Sequence, residues 1–276
     1  MATFANTPDK ITYFAETDYR SKRIRFGIRD QDRERHMYVI GRTGMGKTTL
    51  LENMIYQDIA AGRGLAVIDP HGDLTETILD LVPSSRVNDV IYFNPADIEH
   101  PISFNIIEPE EANSRYLVGA ALVGIFKKIW ADSWGPRLEY ILRNTLLALL
   151  ETQGNTILGV NRLFIDKAYR SKIIAGVHDP VVRNFWEKEY AKYSQNFQTE
   201  AISPIQNKIG QFISIPIIRN IIGQVRSKIN FREIMDQQKI LLVNLAKGLV
   251  GEDVSALLGA AMVSKLQIAA MMRANM

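Results

Sequence analysis

The sequence predicts an α/β protein with a mainly parallel sheet, interrupted by an all-α inserted unit. Between residues 36 and 93 short apolar β runs alternate with amphipathic helical runs, the β-α-β-α-β order of a parallel sheet with crossover helices. From about Glu110 to Gly223 helical periodicity takes over and strand signal almost vanishes. Strand character returns at KILLVNL, 239–245, and a helical run follows from Val254. These shifts divide the chain into 1–109, the first part of an α/β domain, 110–223, a helical insertion, and 224–276, the continuation of the α/β domain.

The first strand candidate is HMYVI, 36–40, which leads directly into GRTGMGKTTLL. Leu51, Ile55 and Ile59 then recur every fourth residue with Leu50 and Met54 beside them, so one helical face is apolar. Gly62 and Gly64 close that helix. Strand candidates follow at Leu65–Ile68 and Val90–Phe93, with a helix in DLTETILDLV between them. In the insertion, SRYLVGAALVGIFKKIW is one helix. PRLEYILRNTLLALLE is another, with Leu138, Ile141, Leu142, Thr145, Leu146 and Leu149 on one stripe. Further helical pieces run through VNRLFIDKAYRSKIIAGV, VVRNFWEKEYAKYSQNF and IPIIRNIIG. The last helix carries no glycine or proline stop and is expected to run from Val254 to the last residue.

The chain has 276 residues, 46% apolar and 23% charged, a globular balance without a disordered signature. With no cysteine, disulfides and thiolate chemistry are excluded. The four histidines are scattered, without His-Glu-x-x-His spacing, which argues against a zinc hydrolase. MATFANTPDK lacks the basic head and apolar run of a secretory signal. No segment reaches the roughly 18 apolar residues that span a bilayer; Val254 to Met272 is interrupted by Ser255, Ser264, Lys265 and Gln267. A cytoplasmic location is expected, with any membrane attachment lying outside these residues. Net charge is only +3. RSKRIRFGIR, 20–29, concentrates Arg20, Lys22, Arg23, Arg25 and Arg29 without an acid. It reads either as a solvated strand face or as a phosphate-backbone contact.

Gly41-Arg42-Thr43-Gly44-Met45-Gly46-Lys47-Thr48 matches G-x-x-x-x-G-K-[ST] in full. The glycines let backbone N–H groups close around a β-phosphate. Lys47 brings a positive charge to the β/γ oxygens as the catalytic cation, Thr48 places a hydroxyl on Mg²⁺, and the helix N-terminus adds its partial charge. Arg42, Thr43, Gly44, Met45, Gly46, Lys47, Thr48 and Thr49 are the expected contacts to ATP. A chance match in a chain this long is on the order of one in a hundred.

Hydrolysis needs a second, acidic strand, with an Asp to order the metal and often an adjacent Glu to activate water. No Asp-Glu dipeptide occurs. Two strands offer stand-ins: LAVID, where Pro70 follows Asp69, and ILLVN, where Asn244 takes the acid's place. Asp69 is the candidate metal ligand beside Thr48. The Pro after it and its strand's place straight after the phosphate-loop helix favour a loop-shaping role with His71 and Asp73.

HMYVIGRTGMGKTTLL, GLAVIDPHGDL, SWGPRLEYILRNTLLALLE and ILLVNLAKGLVGEDVSALLG, in that order, resemble the HerA/FtsK-like branch of P-loop ATPases. Within it they look most like the DNA-transfer coupling proteins of type IV secretion and conjugation, the TraG/TrwB-type group. The resemblance covers about residues 20 to 276. It implies a RecA-like core with an inserted α-helical domain, working as a homo-hexameric ring that pumps DNA with ATP and Mg²⁺ and meets secretion-channel or relaxosome proteins. It also places the Asp-Glu strand after the helix that here ends at Met276, so the core is expected to be incomplete at its C-terminus and the isolated chain a poor ATPase.

Arg137, opening a helix after a turn, reads as an interprotomer arginine at a γ-phosphate or as a salt bridge that fixes the insertion. Trp130 and Trp134 beside it read as packing. Tyr190, Tyr193 and Phe197 with Lys188 and Lys192 suit single-stranded DNA or an ordinary amphipathic helix. Lys247 faces either the ring interior or the nucleotide. Three functions compete: a DNA-translocating ATPase, an ATP-binding adaptor that docks protein cargo, and a nucleotide kinase or GTPase. The absence of Asn-Lys-x-Asp and the long helical insertion weigh against the third.

Overall fold

The protein's structure, a computed structural model, describes residues 11–273. Strands Ile11–Glu16 (β1) and Arg25–Arg29 (β2) form an antiparallel hairpin with Ile11 opposite Arg29. The basic run therefore supplies the connection and β2, and Arg20, Lys22, Arg23 and Arg25 face solvent. A short helix, Asp30–Arg33 (α1), leads away from β2.

The hairpin is fastened to the long helix Lys47–Ala60 (α2) by a buried carboxylate. Asp58 of α2 accepts from both terminal nitrogens of Arg33, at 2.7 and 2.6 Å, and from Arg63 at 3.3 Å. Arg63 also grips Asp30 with both nitrogens, and Arg33 reaches Thr12. One residue earlier on α2, Gln57 accepts from the Tyr13 N–H at 2.9 Å and donates to its carbonyl at 2.6 Å. That side chain acts as a strand neighbour, satisfying backbone groups of β1 that need partners.

Residues 36–40, expected as a strand from HMYVI, form none. Tyr38 is 88% and Ile40 81% exposed. The apolar pattern is present, but strand geometry persists only where backbone groups pair across a ladder. Among the described residues no strand pairs with this segment, and Leu65–Asp69 (β3) pairs on one side only.

The larger sheet is parallel, in the order β3, Ile240–Asn244 (β5), Val90–Phe93 (β4). Leu65 stands opposite Ile240, and Val90 opposite the same residue from the other side. All five residues of β5 are buried, as a central parallel strand covered on both faces demands. Alternate side chains take opposite faces. Ile240 and Leu242 join Ile59, Val67 and Ile78 under α2 and Asp73–Leu81 (α3), while Leu241, Val243 and Leu245 enter the larger core on the other side.

The helical region lies between β4 and β5 in the chain. Arg115–Ile129 (α4) and Pro136–Glu151 (α5) pack together, and every member of the predicted α5 stripe is buried. Each large aliphatic side chain buried there contributes roughly 1.5–3 kcal/mol. VNRLFIDKAYRSKIIAGV divides into Gly159–Ile165 (α6) and Lys167–Ala175 (α7) because the Asp166 side chain accepts from Tyr169 N–H and caps the second. VVRNFWEKEYAKYSQNF divides likewise into Pro180–Asn184 (α8), a π-helical turn at Phe185–Glu189, a 3-10 turn at Tyr190–Lys192, and the start of Gln195–Ile213 (α9). Pro216–Ile222 (α10) and Phe231–Asp236 (α11) return the chain to β5.

Lys247–Val250 (α12) precedes Glu252–Arg273 (α13), which begins two residues before Val254; the last residues of its expected span lie outside the described residues. By length and composition α13 is apolar enough to cross a membrane, at a mean hydropathy of 1.5, which corrects the expectation that no segment qualifies. In this fold 56% of that window is buried, and α13 packs against α4 and α11.

Candidate functional site

The phosphate loop is built where the sequence places it. Gly44 and Gly46 adopt φ of +82° and +83°, a left-handed conformation that costs an L side chain about 1–2 kcal/mol. Gly46 is the N-cap of α2, and the helix starts at Lys47. Its first-turn amides have no partner within the helix, which gives the terminus its affinity for anions. Lys47 folds back over the loop, its ammonium donating to the carbonyls of Gly41 at 2.9 Å and Arg42 at 3.0 Å. Arg42, Thr43, Met45, Thr48 and Thr49 are solvent-exposed around it.

At the C-terminal end of the sheet, three strand ends converge. Asp69 closes β3 and turns its carboxylate onto the start of α3. One oxygen accepts from His71 N–H at 2.9 Å, the other from Leu74 N–H at 2.9 Å and Thr75 N–H at 3.3 Å. The carboxylate therefore serves as the cap that α3 needs, a role its sequence position did not reveal. Gly72 makes this turn possible. Its φ is +102°, and a Cβ there would sit 2.4 Å from Asn244 Oδ1.

Asn244, the last residue of β5, donates to the Tyr92 hydroxyl at 2.9 Å and to Glu76 at 3.5 Å, and accepts from Ala246 N–H at 2.9 Å. The two loops are also joined by backbone bonds, Leu245 N–H to Asp69 O and Lys247 N–H to Pro70 O. Tyr92 and Glu76 escaped sequence reasoning because their link to Asn244 depends on which strands become neighbours. Ala246 holds φ +43° without being glycine, a strained conformation of the kind that clusters at functional loops. Lys247 pairs with Glu252 at 2.7 Å. Among the described residues no group of three or more His, Asp or Glu is poised to hold a metal ion.

The remaining candidates lie in the helical region. Arg137 stacks over Phe197 at 4.8 Å and reaches Glu200 at 3.5 Å, both on α9. Trp130 is buried, stacked on Phe126 at 4.7 Å and followed by Trp134 at 6.5 Å. Tyr190 is 1% exposed, so it serves the core and presents no face to a base, unlike Tyr193 and Phe197, which are half-buried.

Glu139 accepts from Trp134 Nε1 at 2.8 Å, Arg143 at 2.9 Å and Lys127 at 3.3 Å. These donors hold its carboxyl down at about 2, the Trp134 bond contributing most. Lys265 of α13 is 5% exposed and donates to the Glu108 carbonyl. Burial pulls its ammonium down to about 8, against the raising effect of Glu110 and Glu108.

No curated protein matches this sequence. Among solved structures, the unbound monoclinic form of a bacterial conjugative coupling protein, TrwBdeltaN70, is similar at 15% identity and a TM-score of 0.46 over 83% of this chain. The chain spans 49% of that protein's length. The family described as the central domain of helicase HerA matches residues 18–265, nearly the whole chain. With its phosphate loop set at the head of α2 beside a parallel sheet, the chain belongs to the HerA central-domain family.

Proposed function

We propose that this chain is the ATP-binding core of a DNA-translocating ATPase of the conjugative coupling-protein type. The observation that carries the reading is the phosphate loop, complete in sequence and built with Gly44 and Gly46 left-handed at the head of a fourteen-residue helix. Residues 42–49 bind the ATP phosphates, Lys47 leaves its two carbonyls for the β/γ oxygens, and Thr48 shares Mg²⁺ with them. Residues 1–109 and 224–276 form the nucleotide domain, with 110–223 inserted. Asp69, committed to the cap of α3, and Arg137, held on α9, take positioning roles in this reading. The carboxylate that activates water then comes from sequence outside these residues or from a neighbouring subunit of a homo-hexameric ring. DNA is held through its backbone, and the motor works in the cytoplasm against a secretion channel.

The test is nucleotide binding by purified 1–276, followed with a fluorescent ATP analogue and Mg²⁺. Lys47→Ala is expected to weaken binding at least tenfold while the melting temperature stays put. Unchanged affinity in that variant overturns the reading. DNA-stimulated turnover by a longer version of the protein separates a DNA motor from a protein-docking adaptor.

A further inference from the structure

Two clefts of the helical region, about 450 and 620 Å³, meet at Tyr140. One runs past Trp134, Lys127 and Arg143; the other past Tyr193, Lys188 and Lys192. Their floors are aromatic and their rims are cationic. Tyr140 is 43% exposed, and Lys127, Lys188 and Lys192 stand in solvent.

The only carboxylates lining the pair are Glu139 and Glu189, and both are occupied in holding the rings. Glu139 takes the Trp134 indole together with Lys127 and Arg143. Glu189 accepts from Tyr140 at 2.9 Å and Tyr193 at 2.6 Å. Tyr140 is braced further by Phe185, edge-on at 5.3 Å. Phe185 and Glu189 are the two ends of the π-helical turn, which turns one into the core and the other toward the rings. The aromatic side chains are therefore set before any ligand arrives. The tyrosine hydroxyls are spent on Glu189 and the Trp134 indole N–H on Glu139, which leaves ring surface as what the clefts offer.

We infer that these two clefts, adjoining at Tyr140, together bind single-stranded nucleic acid, with bases on Trp134, Tyr140 and Tyr193 and the backbone along Lys127, Lys188 and Lys192. Ring faces with flanking ammonium groups suit unpaired bases and phosphates, whereas paired bases hide their faces in a stack. The inference rests on the DNA-motor reading and specifies where, and in what form, the strand lies.

The experiment is anisotropy of a fluorescein-labelled oligothymidylate titrated with purified 1–276 across a salt series. Lys188→Gln with Lys192→Gln, both exposed, is expected to flatten the slope of log affinity against log salt by about 1.4, since each single-strand phosphate contact carries about 0.7. Tyr140→Ala is expected to lower affinity about tenfold, within the range of one lost stacked base. Binding of the fluorescent ATP analogue should not change in either variant. Parental oligonucleotide binding in both variants overturns the site and leaves the motor reading intact. No oligonucleotide binding by the parent overturns both the site and the DNA part of that reading, while ATP binding survives. Equal displacement of the oligonucleotide by polyglutamate overturns nucleic acid as the occupant.

Discussion

Replacing Asp58 by asparagine keeps the shape of the side chain and removes its charge. In the parent, both oxygens of Asp58 are held by Arg33, and one also by Arg63, with the carboxylate side chain only 11% exposed. Contact with this carboxylate is the main reason the Arg33 guanidinium is pushed up from its ordinary range. Breaking a fully buried pair costs about 3–5 kcal/mol because a charge is left without a partner. Here Arg33 and Arg63 keep 27% and 28% of their side-chain surface in water and can recover part of that loss. The expected cost is therefore about 2–3 kcal/mol. In a chain of this length each kcal/mol moves the melting temperature by about 2–4 °C, so the variant should melt about 4–12 °C lower. The hairpin should loosen first, and trypsin should cut sooner in the basic run 20–25. The pair Arg33→Met with Asp58→Leu restores apolar fill in place of charge, so it should recover much of the loss. An Asp58→Asn variant melting within 2 °C of the parent, or a double variant worse than the single one, refutes the reasoning.

Gly72→Ala forces an L side chain into φ +102° and into the Asn244 amide, and is expected to cost about 2–4 kcal/mol by urea denaturation. Glu139→Gln is expected to cost about 1–2 kcal/mol at pH 7. Because the folded carboxyl sits at about 2, below its unfolded 4.5, the parent's advantage is full above pH 4.5 and disappears as pH falls toward 2, which melts at a series of pH values will show. Lys265→Met is expected to stabilise by about 1–2 kcal/mol at pH 7, since burial disfavours the ammonium. The folded lysine sits at about 8, below its unfolded 10.5, so the parent gains stability as pH rises between those values and the variant's advantage shrinks there.

The readable parts of this chain were those fixed locally. The limits of β4 and the α5 stripe follow from periodicity, and the phosphate loop ahead of an amphipathic helix follows from its pattern. Asp69 shows the boundary of that method. Its Asp-Pro context argued against a simple metal ligand, but the three amides it accepts from appear only once α3 is folded onto it. Tyr92 and Asn244 meet because β4 and β5, some 150 residues apart, become neighbours. HMYVI fails for a related reason: its apolar residues state a preference that only a pairing partner can satisfy. The insertion was legible as helices, while the division of its aromatics into core and surface was not. Tyr190 is fully buried, while Tyr193, three residues on, is half-buried at the edge of the same core.

Among the described residues β3 has a strand partner on one flank only, and this open flank and the exposed Tyr38 and Ile40 bear on how the chain behaves in a tube. An open row of peptide donors and acceptors is a template for intermolecular pairing, and exposed apolar side chains elsewhere on the surface add to the tendency. The chain at high concentration should therefore self-associate, with thioflavin-positive or scattering species that grow with time and salt. A charged substitution at Ile40, chosen to leave the glycines of the loop untouched, should slow that growth. Colloidal behaviour thus becomes a readout of strand pairing, available before any ligand is in hand.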